Sequence, residues 1–152
     1  MDINWLDIHH RDLTVPQLYA LLALRSEVFV VEQNCPYLDV DGQDLVAENR
    51  HLLGMLGDKL VAYARILSPA DAQSPVKIGR VIVSSRARGI NLGNRLMTQA
   101  LQSCQQHWPQ HSPFLSAQAH LQSFYAGHGF VAVSDIYLED DIPHIDMSRT
   151  TS

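Results

Sequence analysis

Residues 78–96, IGRVIVSSRARGINLGNRL, run from a β-rich apolar stretch through a glycine-bearing turn straight into a helix. Val76 to Val83 is dominated by β-branched side chains, which suit a buried central strand. Gly89 to Asn94 opens a helix on which Leu92, Leu96, Ala100, Leu101, Cys104 and Trp108 share one face. A strand that hands the chain directly to an amphipathic helix needs a sheet for the strand and an apolar layer between sheet and helix. That confines the chain to the α/β architectures.

The flanking pattern extends the same plan. Trp5 to His9 reads as a short strand. Thr14 is a good N-cap with Pro16 in the first turn, and Leu18, Leu21, Leu22, Arg25, Val28 and Phe29 keep helical spacing, which predicts a helix over 15–31. Residues 34–49 are polar and turn-rich, either a long ordered loop or a short helix. His51 to Leu56 and Leu60 to Leu67 flank Gly57-Asp58 as a tight hairpin. Pro113 to Ala117 is a further strand, and His120 to His128 a short helix closed by Gly127 or Gly129. Phe130 to Leu138 and His144 to Arg149 form a final antiparallel pair. The order is β-α-ββ-β-α-β-α-ββ, a mixed sheet covered by helices. At 152 residues, 46% hydrophobic and 18% charged, one globular domain over 1–152 is expected. No apolar run approaches a membrane span and no secretory signal opens the chain, so a cytoplasmic address is expected.

Charge is distributed unevenly along this plan. Between Asp71 and Asp135 there is no acidic residue, while Lys77, Arg80, Arg86, Arg88 and Arg95 lie inside that window. The whole chain nevertheless has a formal net charge of −5. The first N–H groups of a helix lack internal partners, and the helix dipole adds partial positive charge there. A turn with Gly89 and Gly93 at a helix start, with Arg86 and Arg88 beside it and no carboxylate nearby in sequence, points to an anion site for a phosphate-bearing ligand. It is neither a Walker motif nor G-x-G-x-x-G. A net acidic chain with so short a basic window is not a nucleic-acid binder.

Other chemistry-bearing residues give weaker signals. Cys35 and Cys104 stand in no metal or redox spacing; Cys104 falls on the apolar helix face, and Cys35 precedes Pro36 in a loop. Cys35 is either a loop thiol without a chemical role or a nucleophile that becomes acylated. Eight histidines form no metal motif, so no metal is expected. Asp39, Asp41 and Asp44 do not fit a calcium loop. They read as solvated loop acids, with a cationic substrate drawn over them as the sharper alternative. FYAGHGF (124–130) on helix geometry alone is an aromatic core pair with a glycine cap.

Taken together and in this order, these stretches resemble the GNAT N-acetyltransferases, and most closely their ElaA-like branch. The resemblance rests on LRSEVFVVEQNCPYLDVDGQD (24–44), IGRVIV, SAQAHLQSFYAGHGF (116–130) and EDDIPHIDM (139–147), and covers nearly the whole chain. It implies a mixed, mostly antiparallel central sheet flanked by helices. It implies acetyl-CoA as cosubstrate, with its diphosphate on the R-x-x-G-x-G/A turn, here Arg88, Gly89, Ile90, Asn91, Leu92 and Gly93, with Asn94 following. Asn91 replaces the central glycine, and Asn is the non-Gly residue that best tolerates a left-handed backbone. The resemblance also implies that backbone N–H groups of Val81, Ile82 and Val83 polarise the thioester carbonyl and that Tyr125 serves as general acid. The acceptor is then a small amine or an exposed protein amine, attacking directly in a ternary complex. For the base, Glu32 ranks first and His144 second, with His120 as a helix-capping residue. A non-catalytic acyl-CoA-binding module working through residues 34–49 is the alternative. Edge strands near 130–149 could pair two copies into a homodimer.

Overall fold

The computed structural model describes residues 2–150. Strand β1 is Asn4–His9, followed by helix α1, Val15–Arg25. Strands β2 (Arg50–Leu56), β3 (Lys59–Leu67) and β4 (Val76–Val83) precede helix α2 (Leu92–His107). Strand β5 (Pro113–Gln118), helix α3 (Gln122–Ala126) and strands β6 (Val131–Ala132), β7 (Tyr137–Glu139) and β8 (Ile142–Ser148) complete the chain. All eight strands join one sheet in the order β1-β2-β3-β4-β5-β8-β6, with β7 also on β8. Every pairing is antiparallel except β4 with β5. The expected mixed, mostly antiparallel sheet flanked by helices is borne out.

Thr14 starts α1 through a reciprocal cap: its hydroxyl accepts from the Gln17 N–H at 3.2 Å, and Gln17 Oε1 accepts from the Thr14 N–H at 2.9 Å. The helix does not run regularly to residue 31. From Ser26 to Glu32 it widens to π geometry, with the Gln33 N–H donating to the Val28 carbonyl at 3.3 Å and Cys35 N–H to Val30 at 3.1 Å. Residues 34–49 follow as a loop rather than a helix.

Side chains alternate between two cores, one on each sheet face. Leu52, Ala62, Ala64 and Ile78 pack with Leu92, Leu96 and Met97 of α2, while Leu53, Tyr63 and Ile82 pack with Leu21 and Leu24 of α1. In β4 the alternation breaks. Ile78 belongs to the α2 core, two residues before Arg80, yet beyond Arg80 it is Val81 and Val83 that pack there while Ile82 turns to α1. The ladder explains the change: Tyr63 faces Ile82 and Arg65 faces Gly79, so Ala64 alone stands opposite Arg80 and Val81. This is a β-bulge, and Arg80 sits in it at φ 52°. One extra residue flips every later side chain to the other face.

The expected final strand from Phe130 is broken into β6 and β7. Between them the Asp146 N–H donates to Ser134 Oγ at 2.9 Å, so a side chain takes a place in the ladder. Gly129, at φ 90°, closes the turn after α3, where a Cβ would lie 2.9 Å from Arg149 Nε.

Candidate active site

The parallel β4–β5 pair is short. Val76 faces Pro113 and Lys77 faces Phe114, and no later residues pair. Beyond that point the strands part, and a cavity of about 840 Å³ occupies the gap. Its walls are Lys77 to Val83 on one side and Phe114 to Gln118 on the other, with Arg88, Gly93 and Phe124 towards one end and Cys35, Tyr37 and Asp41 from the 34–49 loop. Two strand edges therefore line the interior of the protein with main-chain donors and acceptors that make no strand ladder across the gap. The volume is in the range of small-molecule sites.

Val81, Ile82 and Val83 all line this cleft, just past the bulge. From Val83 the chain enters the glycine turn. Gly89 takes φ 94° and Asn91 φ 60°, so the residue replacing the motif glycine adopts the left-handed backbone expected of it. Asn91 is the N-cap of α2, and its side chain makes no capping hydrogen bond to the helix's first N–H groups. Asn94 Nδ2 donates to Asn91 Oδ1 at 2.6 Å and His128 Nε2 to Asn94 Oδ1 at 2.8 Å, which ties the turn to the end of α3. Leu92 is buried in the α2 core and Ile90 packs against it. Arg88 Nε donates to the Val83 carbonyl at 3.0 Å and its Nη2 to Glu32 Oε1 at 2.9 Å. The turn thus presents uncapped amides beside an exposed guanidinium, a suitable cradle for a diphosphate.

Tyr125 projects from α3 into the same cleft and is 6% exposed. Its hydroxyl makes no hydrogen bond among the described residues. Burial alone pushes its pKa up to about 12, so the phenol stays protonated at neutral pH.

His144 and His120 also line the cleft, whereas Glu32 does not. His144 Nδ1–H donates to the Ile142 carbonyl at 2.7 Å, so Nε2 is the ring atom that can take up a proton, and it lies 3.6 Å from Glu139 Oε2. Glu32 is instead the counter-ion of Arg88. Cys35 is a half-buried wall residue, its Sγ 3.8 Å from the Asp140 carbonyl.

The acids of the 34–49 loop differ from the sequence expectation. Asp39 and Asp44 are buried rather than solvated, 7% and 5% exposed, and Asp41 is ion-paired. Arg25 binds the Asp39 carboxylate through Nε at 2.9 Å and grips Asp44 through Nη1. Arg65 bonds Asp41 through both terminal nitrogens at 2.8 Å each and reaches Asp44 at 3.1 Å. Arg80 bonds Asp39 through Nε at 2.8 Å. Three carboxylates meet three guanidiniums, which is why burial is tolerated. Burial opposes ionisation of Asp41, but the Arg65 guanidinium, the Gln43 N–H and the Arg80 charge together outweigh it and hold the carboxyl down at about 2. The Asp44 carboxyl is held low in the same way by Arg25. Beneath them the Tyr63 hydroxyl donates to His51 Nδ1 at 2.6 Å, and His51 Nε2–H donates to the Asp44 carbonyl at 2.8 Å. Burial lowers the His51 pKa and keeps the ring neutral.

The sequence profile of the acetyltransferase (GNAT) domain matches residues 27–151. The chain belongs to the GNAT acetyltransferase family. Protein ElaA of Escherichia coli (strain K12) is 58% identical over 147 residues, spanning 97% of this chain and 96% of its own length. The crystal structure of Escherichia coli ElaA superposes with a TM-score of 0.94 at 56% identity, covering 98% of this chain and 100% of that one. An acyl-CoA N-acyltransferase from Pseudomonas aeruginosa superposes with a TM-score of 0.93 at 54% identity, again over 98% and 100% of the two chains. The protein is thus an acyltransferase, and its ElaA-like resemblance is borne out. Among the described residues no helix is long and apolar enough to cross a membrane.

Sequence reasoning missed the bulge at Arg80. The sequence carried no clear signal, because Val81, Ile82 and Val83 are all apolar and fit either register after Arg80. It also missed the burial of Arg25, although that residue sits on the apolar face of the predicted helix.

Proposed function

We propose that this acyltransferase, acting as a single domain, transfers the acetyl group of acetyl-CoA to a primary amine by direct attack in a ternary complex. The carrying observation is Tyr125, a buried phenol whose hydroxyl has no hydrogen-bond partner among the described residues and which faces a cleft edged by unpaired strand. The Pseudomonas aeruginosa relative, named as an acyl-CoA N-acyltransferase, supports acyl-CoA as the donor class. In this scheme the amides from Arg88 to Asn94 hold the diphosphate, and β4 pairs with the pantetheine arm as it would with an added strand. Along Val81, Ile82 and Val83 the amides alternate between β3 and the cleft, and those of Val81 and Val83 meet the carbonyl oxygen as it gains charge.

The acceptor nitrogen forms a bond to the carbonyl carbon while the carbon–sulfur bond breaks and the electron pair leaves on sulfur. An alkylamine of pKa about 10.4 must first lose a proton. His144 takes it at Nε2, because Nδ1–H is committed to the Ile142 carbonyl. Tyr125, with its pKa near 12, is a weaker acid than a thiol of pKa about 8.5. It therefore donates a hydrogen bond to the departing sulfur rather than giving up its proton outright, and the nitrogen's own proton balances the reaction.

The test is thiol release from acetyl-CoA with a panel of amines, comparing wild type with Tyr125→Phe. We expect turnover to fall by about tenfold or more while calorimetric binding of acetyl-CoA stays unchanged. Equal turnover would remove Tyr125 from the chemistry. No thiol release by the wild type with any amine would remove the reaction.

A further inference from the structure

We infer that Arg80 is a positioning residue, whose grip on Asp39 holds the β4 bulge and thereby aims the amides that follow it into the cleft. This rests on the acetyl-transfer scheme above, which gives those amides their role.

Arg80 lies at φ 52°, where a β-carbon is crowded and glycine would be at ease. A long charged side chain in such a place calls for a compensating contact, and Arg80 has several. Its Nε donates to Asp39 Oδ1 at 2.8 Å and its Nη2 to the Asp39 carbonyl at 3.0 Å. Its guanidinium lies 5.7 Å from the centre of the Tyr37 ring, and the Tyr37 hydroxyl donates to the same Oδ1 at 3.0 Å. Asp39 cannot follow Arg80 elsewhere. Arg25, fully buried at the end of α1, holds its other carboxylate oxygen at 2.9 Å and shares its carbonyl at 3.0 Å.

The chain of contacts therefore runs from α1 through Asp39 to the one residue of β4 that shifts its register. Val81 follows immediately, and with Val83 it has changed faces because of that shift. A bulge leaves its extra residue outside the ladder, so strand pairing with β3 does not by itself fix the direction of the local amides. A charge-assisted, two-point hold on the bulged residue does. A small error of aim at a polarising donor is costly in rate and cheap in binding.

The test compares wild type, Arg80→Gly, Arg80→Lys and Asp39→Asn. Glycine accepts the left-handed backbone without strain, so Arg80→Gly removes the grip and keeps the permitted conformation. We expect kcat to fall by about tenfold or more with KM for acetyl-CoA within about twofold of wild type. Arg80→Lys, which retains one ionic contact, should recover part of that loss, and Asp39→Asn should resemble Arg80→Gly. An independent readout is the carbon-13 signal of the thioester carbonyl in bound acetyl-CoA. It should lie downfield in the wild type and move back towards the free value in Arg80→Gly. Wild-type kcat and an unmoved carbonyl signal in Arg80→Gly would overturn the inference while leaving acetyl transfer standing. A wild type that binds no acetyl-CoA would overturn both, because the amides would then have no carbonyl to meet.

Discussion

The arginines on and just after β4 meet two different fates. Arg80, 22% exposed, joins the buried Arg25 and Arg65 in a cluster whose three carboxylates neutralise them. Arg86 and Arg88, a few residues on, are 62% and 48% exposed and each has a single acidic partner among the described residues, Glu27 at 3.6 Å and Glu32 at 2.9 Å. In sequence they form one basic window. In space one part is locked into the scaffold and the other remains open to solvent and to a phosphate. Burial, not charge, separates them: a guanidinium largely withdrawn from water must be matched by carboxylates, whereas an exposed one is screened and free to exchange partners.

The largest expected effect is on the buried side. Arg25→Ala leaves Asp39 and Asp44 short of a counter-ion inside the protein, which should cost about 3–5 kcal/mol. The unfolding midpoint, followed by calorimetry, should fall by about 10 °C. A drop of only a few degrees would mean that the cluster is as replaceable as a surface pair.

Acid should unpick the same region in two stages. The folded state holds His51 and the Asp41 and Asp44 carboxyls below their ordinary values, so each contributes stability above its unfolded pKa and loses it as the pH falls. The midpoint should therefore decline first below about pH 6.5, where His51 protonates in the unfolded chain, and again below about pH 3.9 as the aspartates do. The second decline should continue towards pH about 2, where Asp41 itself takes up a proton. Asp41→Asn should shallow the second decline and leave the first in place.

The exposed side should show the smallest change in stability and a separate change in binding. Arg88→Ala should shift the unfolding midpoint by no more than about 2 °C, since exposed pairs contribute about 0–1 kcal/mol. Acetyl-CoA affinity should weaken about tenfold, and its dependence on salt should lessen. If Arg88→Ala destabilised the fold as much as Arg25→Ala, the distinction between the two groups would fail.

Much of the scaffold was legible from periodicity. The hairpin of β2 and β3, the strand–turn–helix through α2 and the capped start of α1 follow from local patterns that tertiary packing reinforces. The left-handed Asn91 was legible too, since its steric tolerance is a property of the residue. The ion-paired role of Asp39, Asp41 and Asp44 was not, because carboxylates in a polar loop look alike whether water or arginine surrounds them. Their partners lie on α1, β3 and β4, far along the chain. For the same reason Glu32 could not be assigned to Arg88 in advance, and the division of the last strand at Ser134 depends on one side-chain hydrogen bond across the sheet.

The early parting of β4 and β5 has a consequence for how the protein keeps to itself. Exposed sheet margins recruit other chains and seed aggregation. Here two such margins are turned inward, facing one another across a slot rather than the solvent. Each margin therefore spends its open bonding groups on the slot it shares with the other, not on the outer rim of the sheet.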